Sequence, residues 1–191
     1  MGFVRIKKIK GTEYGYLVEN TWTAKGSRQK VKAYLGKVIK PAKATDLPAP
    51  ELKELSYANA VKAIAKWTLL QHGFQEGTQS MLMSGTVLAD LGELKVINKT
   101  SPAVIKMHEG FLCTHTLQQA VGFIPSGNTE EIIGKELANA LLEAGLSVPH
   151  EIFVQLYEKL VQRFALTSSS PTSGQREVHN TYKPNINDGM Q

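Results

Sequence analysis

The chain has 191 residues, 42% of them hydrophobic, with 22 Lys and Arg against 17 Asp and Glu. That length suits one ordinary domain or two small ones, and that apolar content can build a core, so disorder is excluded as the global state. No run of about 18 apolar residues exists, so no membrane-spanning helix is expected. Residues 1–43 hold eleven of the 22 basic residues and only two acids, Glu13 and Glu19, a net of +9 that leaves the remainder at −4. Such asymmetry points to an anionic partner for the opening segment.

The first elements read as strands. Phe3–Lys10, Tyr14–Glu19 and Gln29–Ile39 alternate with period two, and Gly11-Thr12 and the stretch around Ala24–Ser27 break them, the pattern of consecutive hairpins. Residues 1–40 are therefore expected as a basic three-stranded antiparallel module. Val31, Ala33 and Leu35 should share its inner face, and Lys30, Lys32 and Tyr34 its outer one.

Residues 41–52, with Pro41, Pro48 and Pro50, read as a proline-stiffened linker. An α+β domain is expected over 53–166. It should begin with a helix over Ser56–His72, capped by Ser56 and stopped at Gly73, with Trp67 in its core. Val96-Ile97 and Val104–Met107 suggest a hairpin. Met81–Leu91 stays open between strand and short helix, and Thr114–Val121 suggests a short helix. Asn128 with Glu131 resembles a capping box at the start of a helix that Gly145 ends. The stripe Ile152, Leu156, Leu160 and Phe164 marks another, so the domain should close with an antiparallel helical hairpin. The composition of residues 167–191 predicts a disordered tail. The fold class is thus α+β, a small basic sheet followed by a mixed domain.

Cations beside aromatics can neutralise phosphates and stack on bases. Arg5, Lys7, Tyr14, Tyr16, Lys25, Arg28, Lys30, Lys32 and Tyr34 are the candidate nucleic-acid-binding residues. Lysines that merely guard a sheet edge against aggregation would leave the same trace. The stretch VRIKKIKGTEYGYLVENTW…GSRQKVKAYLGKV resembles the β-module that opens many insertion-sequence transposases. The likeness rests on Lys7, Lys8, Lys10, Gly11, Tyr14, Tyr16, Leu17, Val18, Glu19, Arg28, Gln29, Lys30, Val31, Tyr34, Leu35 and Gly36. It implies a role near DNA but not catalysis. Transposases of that kind use three metal-binding carboxylates on a ribonuclease-H-like domain, and after residue 43 this chain has only three aspartates, Asp46, Asp90 and Asp188. The remainder, including MHEGFLCTHTLQQAVGF, resembles an uncharacterised prokaryotic or archaeal family.

His108, Cys113 and His115 form the one soft-ligand cluster, but the spacing lacks a fourth ligand, so no metal is expected there. No phosphate-cradling loop of the G-x-x-x-x-G-K-[ST] or G-x-G-x-x-G kind is present. Neither a catalytic residue nor a cofactor is expected. A single cysteine, Cys113, and an N-terminus without an apolar leader suggest a cytoplasmic protein. The leading expectation is a non-catalytic nucleic-acid-binding or transposase-associated accessory protein, with DNA the favoured ligand and no membrane partner. The alternative is an interaction module whose basic sheet docks an acidic protein surface or the chain's own acidic half.

Overall fold

Residues 2–24 and 26–168 are described by a computed structural model. The strands are β1 (Gly2–Ile9), β2 (Thr12–Thr23), β3 (Gly26–Ile39), β4 (Gln75–Glu76), β5 (Met81–Ser84), β6 (Val87–Asp90), β7 (Lys95–Asn98), β8 (Ser101–Met107) and β9 (Gly110–Leu112). The helices are α1 (Tyr57–Gln71), α2 (Thr114–Val121), α3 (Glu130–Glu143) and α4 (His150–Ser168). Among the described residues the fold is mixed α+β, with four helices and one large, mostly antiparallel sheet of nine strands. The sheet order is β1-β2-β3-β8-β7-β6-β5-β4, with β9 also paired to β8.

The opening strands do not form a sheet of their own. β3 runs parallel to β8, with Lys37 opposite Ala103, Val38 opposite Val104 and Ile39 opposite Ile105. The root of β3 therefore carries core residues: Val38 joins Val104 and Cys113 in a small apolar cluster, with Ile6, Leu35 and Phe111 against it. Residues 41–52, expected as a linker, have no regular structure but are pinned. Thr45 donates its N–H to the Gln71 carbonyl (2.9 Å), and Leu52 is fully buried in the main core.

That main core lies where α1, α2 and α3 pack on β5 and β7–β9, with α4 lying against α1. Ile64, Leu69, Ile105, Leu117, Leu156 and Leu160 are among its fully buried members. Each contributes on the order of 2 kcal/mol by leaving water. α1 follows its sequence signals. The Ser56 side chain accepts from the Asn59 N–H at the start, and Gly73 (φ 79°) takes the left-handed turn after His72. α3 starts one residue later than expected, because Thr129, not Asn128, accepts from the Ile132 N–H. Met81–Leu91 resolves into β5 and β6, turned through Gly85 (φ 59°). α4 continues through Ser168, and the remainder of the expected tail lies outside the described residues.

Two glycines let the opening strands leave the body. Gly36 (φ 125°) sits where β3 passes β8, and a Cβ there would meet the Pro102 carbonyl oxygen at 2.2 Å. Its cross-strand partner Gly15 would place a Cβ 2.8 Å from a Val104 methyl. A Cβ at Gly36 would strike backbone, and one at Gly15 would have to displace the Val104 side chain. Immediately beyond this neck the β2–β3 register shifts between Gly15 and Tyr16, and again between Leu17 and Val18. Each shift leaves an extra residue on β3, Leu35 and then Lys32, the pattern of a β-bulge that bends the strand and raises its twist.

The bulges and the projection revise the expected faces. Val31 and Ala33 are exposed and Leu35 is half-buried, because β3 beyond Gly36 extends where no helix layer covers it. β1 ends opposite Glu19, so the hairpin from Asn20 to Gln29 continues as a two-stranded ribbon. Every described residue of that ribbon is exposed.

Candidate nucleic-acid interface

Residues directly opposite each other in an antiparallel pair share a face. Arg5 lies opposite Tyr16 and Lys7 opposite Tyr14, while Tyr16 lies opposite Tyr34. These five candidates therefore meet on one face. The Tyr16 and Tyr34 ring centroids are 5.6 Å apart with planes tilted by 56°, and Tyr14 and Tyr34 are 6.3 Å apart. The Lys7 ammonium lies 5.3 Å from the Tyr16 ring centroid, within cation–π range. None of the three tyrosines belongs to either core cluster. Tyr34 is 47% exposed. Partial burial, and then the neighbouring Tyr14 and Tyr16, push its phenol pKa up. Farther out, Val18 between Phe3 and Val31 is 1% exposed and gives the face an apolar floor.

The structure separates the remaining candidates from this group. Lys30 lies opposite Glu19 and Arg28 opposite Thr21, so both belong to the other face. The expectation that Lys30 shares a face with Tyr34 fails because the bulge at Lys32 intervenes. Lys32 itself is bound to Glu19 at 2.8 Å. That hydrogen bond, before all other influences, holds the Glu19 carboxyl below its usual range. Lys40 pairs with Glu13 at 3.2 Å. Both acids of the opening segment thus neutralise lysines of the segment itself. Lys25 lies outside the described residues.

Sequence reasoning passed over Trp22. It lies six residues beyond Tyr16, hence on the same face of β2, opposite Ser27 and next to the hairpin turn. At 83% exposed it is the most exposed large apolar side chain described. The signal was present in the sequence, since Tyr14, Tyr16, Val18, Asn20 and Trp22 keep one strict alternation.

The soft-ligand cluster is dispersed by the fold. Cys113 is buried at the head of α2, where its N–H donates to Thr116 Oγ1 (3.0 Å). His108 occupies the β8–β9 turn at φ 46°, with its ring edge against His72, centroids 5.2 Å apart. Burial first, then His72, lowers the His108 pKa, and burial alone lowers that of His115. Among the described residues no three of His, Cys, Asp and Glu come together in a way that could hold a metal ion. No helix among them is long and apolar enough to cross a membrane.

No family model, no curated protein and no solved structure matches the chain.

Proposed function

We propose that the protein is a non-catalytic nucleic-acid-binding or accessory protein that binds through its basic N-terminal strands. The observation that carries this is the Lys7–Tyr16–Tyr34 cluster, with Arg5 beside it, on a sheet face outside both cores. A cation beside half-exposed rings offers one group for a phosphate and another for a base. The surplus of basic over acidic residues in the segment would draw a polyanion toward it.

The competing reading, docking on an acidic protein surface, uses the same charge and could bury the same tyrosines, so the test must separate the two. Its intramolecular form gains no support, because among the described residues the ion-paired lysines of the segment bind Glu13 and Glu19 rather than the acidic helices. The resemblance to transposase β-modules favours DNA, and this stays part of the proposal. The test is a titration of labelled DNA and RNA oligonucleotides with the full chain and with a Lys7→Ala/Tyr34→Ala double variant. Binding by the full chain that the double variant loses supports the reading. No binding by the full chain at low salt, together with capture of an acidic peptide, would replace it.

A further inference from the structure

We infer that the ligand of this face is single-stranded nucleic acid, laid along β2 from Tyr16 to an outer stacking residue, Trp22. The inference rests on the proposed function and deepens it. Its first support is the division of charge. Among the described residues the tyrosine face keeps Arg5, Lys7 and, opposite Tyr14, the exposed Lys37, while Arg28 and Lys30 lie on the other face and Lys32 is held by Glu19. Duplex binding draws chiefly on phosphate neutralisation and needs many cations on one surface. Three cations with several rings fit a strand whose bases are free to stack.

The second support is Trp22. A tryptophan 83% exposed at the end of a ribbon adds nothing to a core. Its face is that of Tyr14 and Tyr16, and six strand residues separate it from Tyr16 by about 20 Å. That span suits the site size of on the order of four nucleotides or more bound by sheet platforms of this kind. Between the ends, Phe3 and Val31, which flank the buried Val18, offer an apolar surface over which sugars and bases can lie. Tyrosine and tryptophan rings stack on any base, so the expected sequence preference is slight.

Trp22 supplies its own reporter. The other tryptophan, Trp67, is half-buried and donates Nε1–H to the Leu47 carbonyl (3.1 Å). The full chain carrying Trp67→Phe leaves Trp22 as the sole indole, and Trp22→Phe in the otherwise unchanged chain checks the assignment if the first variant is unstable. Each is titrated with a 12-nucleotide oligo-dT, the matching oligo-U, and a 12-base-pair duplex, while emission and acrylamide quenching are followed. The inference expects the single strands to quench Trp22 emission and shield it from acrylamide, with duplex bound at least tenfold more weakly. Trp22→Ala should weaken single-strand binding about tenfold. Equal or tighter duplex binding, or tight single-strand binding that leaves Trp22 emission and acrylamide access unchanged, would overturn the inference while leaving nucleic-acid binding intact. Absence of binding to all three probes at low salt would overturn both.

Discussion

Tyr34 is the residue on which the functional reading turns. It touches both Tyr14 and Tyr16, yet half of it remains open to solvent. Tyr34→Ala is expected to lower single-strand affinity by about 1–3 kcal/mol, while Tyr34→Phe keeps the stacking surface and most of the affinity. Fluorescence anisotropy checks both. Gly36 carries the opposite kind of demand, structural rather than chemical. With φ at 125° and the Pro102 carbonyl where a Cβ would stand, Gly36→Ala must move backbone. It is expected to cost about 1–3 kcal/mol or more, read as a lowered denaturation midpoint at unchanged slope. His108 and His115 set a pH dependence. Their folded pKa values lie below the unfolded value near 6.5, so the unfolded chain binds protons first as pH falls. Stability from these two is full above about pH 6.5 and declines as pH drops through their folded pKa values. Thermal melts between pH 7.5 and 5.5 should show that decline. His108→Asn, which tolerates the left-handed turn, should reduce it.

The β2–β3 hairpin is the element that joins sequence to function. Its alternation, its turn residues and its charge were all legible in the sequence, and so was the presence of β1, β2 and β3. The facing of β3 was not. Two extra residues in β3 break the strict period of two, and a bulge leaves no compositional trace. That is why Lys30 and Tyr34, four residues apart, were expected together and stand on opposite faces. Val31 and Ala33 misled for another reason. Apolar alternation says that a face exists, but only the rest of the fold says whether anything covers it. The helices were better marked, since Ser56, Gly73 and Gly145 act through local backbone chemistry that needs no partner. Because no described residue of Asn20–Gln29 is buried, the ribbon should be dispensable to the fold. Replacing residues 21–28 with Asn-Gly should shift the melting temperature by no more than a few degrees while removing Trp22. Loss of cooperative unfolding in that variant would show that the ribbon packs on something after all.

At the scale of the whole molecule, the parallel pairing of β3 with β8 ties the basic strands to the main core. Sequence reasoning placed a boundary after residue 40 because the prolines and the charge shift both fall there. Parallel pairing between strands more than sixty residues apart has no local signature. The consequence is that binding must be tested with point variants in the full chain, since removing residues 1–43 also removes Val38 and Ile39 from beside Val104 and Ile105. A chain starting at residue 44 is expected to lose a sharp unfolding transition, checked by circular dichroism on heating.

The central claim, that the face bearing Arg5, Lys7 and the tyrosines binds nucleic acid, is tested most directly by the salt dependence of oligonucleotide affinity in the intact protein. With about three phosphate contacts on a single strand, from Arg5, Lys7 and Lys37, the slope of log affinity against log salt should be near −2.1, so raising salt from 50 to 200 mM weakens binding about eighteenfold. Lys7→Ala should flatten the slope by about 0.7, and Arg28→Ala should leave it unchanged. A slope near −3.6, the value for four contacts on duplex DNA, flattened by Arg28→Ala and untouched by Lys7→Ala, would place binding on the opposite face and contradict the account.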